Sequence, residues 1–327
     1  MRTLKVEKQT FSLKEPFRIT GYTMTDWDVV LVRIAENGHQ GFGEASGIYY
    51  FDETAESMMA QIESVKHELE RGATRRELLE LLPRGGARNA VDCALWDLES
   101  KLVNKSIWEL TGIPPKPVDS VLTVGIADKN SMARQAMLIE SDRIKVKLDD
   151  DQPLEKMRAI RAARPDVKLL VDVNQGWDFS MLCELSPEFA KLKIDMIEQP
   201  LKRGEDDALE GYESPVPLCA DESCLDTSEL DSMVGKYDIV NIKLDKTGGL
   251  TEALDLANQA HRRSLKLMVG NMGGTSLAMA PGFVVAQLCD FVDLDGALFL
   301  SEDREQSLEF KFGTVFGLPT GLWGNVG

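Results

Sequence analysis

The sequence predicts an α/β fold: a (β/α)8 barrel preceded by a smaller unit of strands followed by helices. Three observations carry this prediction. Short apolar runs alternate with helical patterns from about residue 120 to residue 295. A marker near the end of each run, polar in every case but Gly270, at residues 123, 147, 172, 198, 221, 243, 270 and 295, recurs at the steady spacing of one βα unit. No Gly-x-Gly-x-x-Gly follows an early strand, so a doubly wound sheet would lack its usual phosphate loop.

The chain has 327 residues, enough for about two domains of ~150 residues. Its 43% hydrophobic content can fill a large core. Val29–Ile34 reads as a strand, Asn37-Gly38 as a hairpin turn and Gly41–Ala45 as its partner. Residues 54–82 are helical in pattern, with breaks near Gly72 and Pro83. Ala87–Asn104 is a helix rich in Ala, Leu and Trp. Thr111–Pro117, with three prolines and a glycine, is the most linker-like stretch, and the domain boundary is placed there, after residue 115. The eight expected strands are Val121–Gly125, Arg143–Leu148, Lys168–Val173, Ile194–Glu198, Pro217–Asp221, Ile239–Lys243, Leu265–Gly270 and Phe291–Asp295. Gly248-Gly249 is read as a tight turn.

Composition excludes several classes. No apolar run reaches ~18 residues without a charge, so no membrane span is expected. The net charge of −17 repels phosphate backbones and argues against nucleic acid. The N-terminus runs straight into strand-like sequence, so export is not expected. Five cysteines without a Cys-x-x-Cys read as reduced thiols of a cytoplasmic protein. His39, His67 and His261 form no metal or triad pattern. Chemistry must then rest on carboxylates and lysines.

Those residues stand at the strand ends, where a barrel keeps its active site. Asp172, Glu198 and Asp221 close the third, fourth and fifth strands. Neighbouring strands lie ~4.8 Å apart, so the three can converge on one hard cation, Mg²⁺ first and Mn²⁺ second. The competing reading is a rim network with lysines. Lys145 and Lys147 share one face of the second strand. Lys243 comes from the sixth, across the barrel. A substrate carboxylate on the metal would leave its α-carbon between two amines. One removes the α-proton and the other returns a proton to the opposite face, a 1,1-proton transfer that inverts the carbon. A useful lysine base needs a pKa near ~7–8 against an ordinary ≈10.4. Repulsion between Lys145 and Lys147 has the right sign.

The segments Lys145-Val146-Lys147-Leu148-Asp149, Asp172-Val173-Asn174, Glu198-Gln199-Pro200, Ala220-Asp221-Glu222-Ser223 and Asn241-Ile242-Lys243-Leu244 strongly resemble the enolase superfamily, muconate-lactonizing subgroup. Gly43-Glu44-Ala45 and Ala87–Asp92 extend the likeness to essentially the whole chain. The resemblance implies a modified (β/α)8 TIM-type barrel over residues 116–300. It implies an α+β capping domain over 1–115, completed by the tail 301–327. It makes Lys147 and Lys243 the acid/base pair and Asp172, Glu198 and Asp221 the Mg²⁺ ligands. Lys145 would touch the substrate carboxylate, and a homo-oligomer is implied.

Asp293-Leu294-Asp295 resembles the Asp-x-Asp with which dipeptide epimerases bind the free α-ammonium of a dipeptide. Two carboxylates on one face of a strand make a cation site. Residues 241–254 are similar to the L-Ala-D/L-Glu epimerases, and Thr123 and Met272 match their substrate-contact positions. Core packing and loop filling are the plainer roles for those two. One departure stands out. The mobile loop after Pro16-Phe17 carries arginine in that group, where it meets a glutamate side chain. Here only Arg18 is present, early in the loop, with Tyr22, Met24, Asp26 and Trp27 after it. A hydrophobic, aromatic or basic second residue is admitted in place of glutamate.

Other readings share this scaffold: N-acylamino-acid racemase, o-succinylbenzoate synthase and cycloisomerase. Asp293 and Asp295 argue against all three. A Schiff-base aldolase needs no trio of carboxylates. A catalytically inactive carboxylate-binding protein needs no complete set of acids and bases. A mandelate-racemase-type site would carry a His after the seventh strand, which here ends Val269-Gly270-Asn271-Met272.

Overall fold

The computed structural model describes residues 2–325. The first three strands, β1 (Thr3–Ile19), β2 (Tyr22–Glu36) and β3 (His39–Ala45), form an antiparallel sheet in that order. Val30, Val32 and Ile34 alternate along β2 and pack on the helix Gly86–Val103. The spacing of β3 against this helix explains Gly41-Phe42-Gly43. A Cβ at Gly41 would lie 2.2 Å from Ala94 O, and one at Gly43 2.1 Å from Ala90 O. Only glycine on the strand lets the backbones approach this closely.

The β1–β2 hairpin is longer than expected. The segment read as a mobile loop after Phe17 is strand on both sides of a turn at Thr20-Gly21. Its pairing shifts register between Ser12 and Phe17. Its tip is anchored on the second unit: Thr20 Oγ1 donates to Leu148 O and Val173 O at 3.0 and 2.9 Å.

β4 (Val118–Asp119) leads into eight parallel strands: β5 (Leu122–Val124), β6 (Arg143–Lys147), β7 (Lys168–Asp172), β8 (Ile194–Glu198), β9 (Leu218–Ala220), β10 (Ile239–Lys243), β11 (Lys266–Gly270) and β12 (Phe291–Val292). They neighbour one another in chain order, and Val121 N donates to Val292 O at 2.8 Å where the two ends meet. This is the predicted barrel, with two differences. First, the units after β8, β9 and β12 carry 3₁₀ turns, Asp206–Leu209, Thr227–Met233 and Gly296–Phe299, in place of α-helices. Second, β12 is two residues long, so Asp293 and Asp295 lie beyond the strand, not on one strand face.

Period-2 alternation divides each barrel strand. Leu169, Val171, Ile197, Leu218, Val240 and Ile242 face the helices and join the main core. Leu170, Met196, Cys219, Ile239 and Met268 face inward and form a dry layer at the barrel bottom. β13 (Phe310–Lys311) and β14 (Thr314–Val315) pair with β4. The tail also reaches the first unit: Arg304 bonds Glu44, and Trp323 Nε1 donates to Cys93 O at 3.0 Å. All five cysteines are free. No helix among the described residues is long and apolar enough to cross a membrane.

Candidate active site

One step above the dry layer, the same inward columns become polar. Leu170 is followed by Asp172, Met196 by Glu198, Cys219 by Asp221, and Ile239 by Asn241 and Lys243. The β7, β8 and β10 residues are aimed by strand alternation. Asp221 sits just past β9 and is held by Gln199, whose Oε1 accepts from Asp221 N and Ser223 N at 2.9 and 3.0 Å.

The buried carboxylates and ammoniums form one network. Lys145, 1% exposed, bridges Asp172 Oδ2 at 3.0 Å, Glu198 Oε2 at 2.8 Å and Asp293 Oδ2 at 2.7 Å. Lys147 donates to Asp172 Oδ2 at 2.5 Å and Asn174 Oδ1 at 3.0 Å. Lys243 donates to Asp221 Oδ2 at 2.7 Å, and Lys246 meets Asp221 Oδ1 at 2.7 Å. Burial alone would raise the carboxyl of Asp172, but Lys145, Lys147 and Lys243 hold it well below the usual range. Lys243 and Lys246 do the same for Asp221. Burial and the charge of Asp172 push Glu198 up to about 7. Burial and Asp221 push Glu222 up to about 8.

Carboxylates hold two of the lysines as ammoniums. Burial disfavours the charge on Lys145, yet Asp172, Asp293 and Glu198 carry it well above the ordinary value. Burial likewise opposes the charge of Lys243, and Asp221 and Glu198 outweigh it. In both cases the carboxylates beside the ammonium outweigh its burial.

The donor chemistry of Asp172, Glu198 and Asp221 fits a hard dication: carboxylate oxygens only, from three successive units, all fully buried. Glu198 Oε2 and Asp221 Oδ1 touch lysine ammoniums but take no hydrogen bond of good geometry, and Glu222 Oε2 has none either. No three acidic, His or Cys side chains among the described residues stand in coordinating geometry. Lys145 bridges two of the three carboxylates, Asp172 and Glu198.

Above this floor is a small cavity of about 60 Å³. Lys147 and Lys243 line it from opposed strands, β6 and β10. Thr123, Met272, Asp293 and Asp295 line one end. Lys145 and the three carboxylates lie beneath the wall, so Lys145 is placed under the cavity, not on it. Asp295 Oδ2 accepts from Thr123 N at 2.7 Å. Burial, with Asp293 beside it, pushes Asp295 well above the usual carboxylate range. Asp293 Oδ1 has no hydrogen-bond partner.

Several supporting residues were given no role of their own by the sequence. Asn241 Nδ2 donates to Glu198 Oε1 at 2.7 Å and orients that carboxylate. Lys246, fully buried, ties Asp221 O, Cys224 O and Asn241 O together. Gly270 leaves room for both neighbours: a Cβ there would lie 2.9 Å from the Asn241 amide and 3.0 Å from Lys243 Cε. Tyr49 lines the cavity from the 3₁₀ turn Tyr49–Phe51. A buried Lys three residues after Lys243, and a glycine ending a strand, were the available signals.

Residues 131–306 match the enolase C-terminal domain-like family, and residues 1–112 match the mandelate racemase / muconate lactonizing enzyme N-terminal domain. The chain is 43% identical to an L-Ala-D/L-Glu epimerase of Escherichia coli K12, over 96% of this chain and 99% of that one. It is 38% identical to an N-acetyl-D-glutamate racemase of Pseudoalteromonas, over 91% of this chain and 96% of that one. It superposes with TM-score 0.91 on a dipeptide epimerase of Enterococcus faecalis V583 complexed with Mg and L-Leu-L-Tyr. That pair is 26% identical, with 98% of each chain covered.

Proposed function

This chain belongs to the enolase superfamily, as a mandelate racemase / muconate lactonizing-type member. On that premise we propose that it is a Mg²⁺-dependent dipeptide epimerase, inverting the α-carbon of the second residue of a dipeptide. The observation that carries this reading is the opposition of Lys147 and Lys243 across one cavity with a carboxylate floor and an Asp pair at one end. Lys147 and Lys243 act as the two bases. The neutral amine of one takes the α-proton, and the ammonium of the other gives a proton to the opposite face of the resulting enolate. Asp172, Glu198 and Asp221 would hold the Mg²⁺, whose charge offsets that of the enolate. Asn241 fixes the Glu198 carboxylate and Gln199 holds the backbone of Asp221, so little reorganisation accompanies proton transfer. Lys145 ties Asp172 and Glu198 to Asp293, which joins the floor to the amine-binding end.

Asp293 and Asp295 receive the free α-ammonium of the first residue, with Thr123 and Met272 beside them. An N-acylamino-acid racemase is the second reading, favoured by the 38% identity to an enzyme of that type. An N-acyl group offers no cation to a buried Asp pair, and this supports the dipeptide. The proposal divides the chain into a capping domain of residues 1–115 with 301–327 and a barrel of 116–300. It also includes a cytoplasmic location and self-association, the latter read by light scattering.

The test is deuterium uptake from ²H₂O by free dipeptides and by N-acetyl and N-succinyl amino acids, followed by mass spectrometry. Free dipeptides should exchange at the second α-carbon. Chelation should abolish exchange, and Mg²⁺ or Mn²⁺ should restore it. Equal exchange of the N-acyl compounds would favour the racemase.

A further inference from the structure

We propose that Arg88 and Asp92, on the helix Gly86–Val103 of the first unit, are positioning residues for Lys243. They clamp the turn that follows Lys243 in the chain and so set one of the two bases from outside the barrel. The inference rests on the two-base reading above and extends it to residues that line no part of the cavity.

The turn cannot hold itself. After Lys243 the chain makes one helical turn, Leu244–Thr247, passes through Gly248 and Gly249 and enters the helix Leu250–Arg262. A helix of one turn is too short to be stable alone, and its last carbonyls need partners from elsewhere. The longer helix starts after Gly249, which has no side chain to accept from the first N–H groups. The first unit supplies both sets of partners. Arg88 Nη2 donates to Thr247 O at 2.7 Å, and its Nε donates to Gly248 O at 3.2 Å. Asp92 Oδ2 accepts from Thr251 N at 2.9 Å, and its Oδ1 accepts from Thr251 Oγ1 at 2.6 Å. A cation thus stands at a helix C-terminus and an anion at a helix N-terminus, each the favourable sign. Residues 88 and 92 are one helical turn apart and share a face. Both side chains are buried. Arg88 Nη1 reaches back to Leu82 O at 3.3 Å, so the guanidinium is anchored in its own unit.

The two glycines are shaped to this grip. Gly248 and Gly249 have φ of +72° and +118°, in the region that favours glycine. A Cβ on Gly248 would overlap the Arg88 guanidinium, and one on Gly249 would lie 2.5 Å from Asp92 Oδ2. Gly248-Gly249 is therefore both a tight turn and the seat of two side chains from the first unit.

The clamp acts on one base. Lys246, in the same turn, donates to Asn241 O at 2.8 Å and pairs with Asp221 Oδ1 at 2.7 Å. Displacing the turn therefore moves Lys243 and the carboxylate that Lys243 meets. The segment after Lys147 is held by groups outside that helix. Thr20 Oγ1 donates to Leu148 O at 3.0 Å, and Trp177 Nε1 donates to Asp149 O at 3.1 Å.

The experiment compares Arg88→Lys and Asp92→Asn with the unaltered Mg²⁺-loaded enzyme. Deuterium incorporation from ²H₂O is read for the L,L and L,D epimers separately, and backbone amide exchange is followed by mass spectrometry. One ammonium cannot bond Leu82, Thr247 and Gly248 together as the guanidinium does. Arg88→Lys should lower exchange of the epimer whose α-proton faces Lys243 by about 10- to 100-fold, with KM and the other epimer nearly unchanged. Asp92→Asn should shift the ratio the same way by a smaller factor, and it decides the matter if Arg88→Lys does not fold. Amide protection should fall over residues 243–251 and hold over 143–149. Equal loss for both epimers, or an unchanged ratio with a lower Tm, overturns this inference and leaves the two-base reading intact. If the unaltered enzyme exchanges neither epimer, the two-base reading fails. Amide protection then decides the clamp by itself: an equal fall in both segments overturns it, and a fall confined to 243–251 supports it.

Discussion

Replacing Gly270 by alanine adds one methyl group at the end of β11, and the structure predicts the sign of every consequence. Gly270 sits in ordinary strand backbone, so alanine meets no conformational penalty there. In open space such a change should stabilise the fold by ~0.4–1 kcal/mol through the unfolded chain. Here the new Cβ lies 2.9 Å from both amide atoms of Asn241 and 3.0 Å from Lys243 Cε. The Asn241 amide must turn away from Glu198, and its 2.7 Å bond to that carboxylate is strained or lost. A buried hydrogen bond to a charged group contributes ~1.5–3 kcal/mol, so net destabilisation is expected, seen as a fall in Tm. Lys243 must also retreat by a few tenths of an ångström. Displacement of a reacting group by ~1 Å costs about 10²-fold, so kcat should fall by roughly 10- to 100-fold with KM nearly unchanged. The assay is initial-rate kinetics with deuterium uptake read separately for the two epimers. The epimer whose α-proton faces Lys243 should lose exchange, and the one facing Lys147 should keep it. A Gly270→Ala enzyme that is more stable, with unchanged kcat and symmetric exchange, would falsify the packing argument.

Either Lys147→Ala or Lys243→Ala should abolish epimerisation, while each variant still exchanges the α-proton of one epimer. Near-normal epimerisation by either would refute the two-base assignment. Asp245 gives a pH signature for the joint between the two units. Its Oδ1 accepts from Ser46 N and Gly47 N, both at 3.1 Å, and burial pushes its carboxyl up to about 7. The folded protein then binds this proton more tightly than the unfolded chain, so stability from this group falls as pH rises from about 4 to 7. Asp245→Asn keeps an oxygen for both N–H groups. It should flatten that part of the stability curve and raise Tm at pH 8, the full effect being at most about 4 kcal/mol. A steeper curve, or a lower Tm at pH 8, would show that the charge itself stabilises the joint.

The barrel was legible because its signal is local and periodic. Each strand of a parallel sheet covered on both faces must be apolar, so a polar residue recurring at each strand end stands out in the linear chain. Lys145-Val146-Lys147 announces two side chains on one face for the same reason. The eighth unit shows the limit. Asp293 and Asp295 look like alternate residues of one strand, yet pairing stops at Val292 because strand length depends on a partner far away in sequence. The hairpin tip was read as a loop because its partner surface, Leu148 and Val173, is more than 100 residues distant.

The sequence by itself determined the fold class and which βα unit carries each of the buried lysines and carboxylates. All of these follow from residue type and a short period. Only the tertiary structure decided which charges meet. Lys145 is held by carboxylates from β7 and β8 and from beyond β12, not poised against Lys147. Asn241 supports Glu198 and Lys246 supports Asp221, Gly270 makes the space for Lys243, and Arg18 is exposed, outside the residues that line the cavity. Coulomb energy and steric contact depend on distance in space, and barrel closure brings together groups that no local pattern in the chain relates.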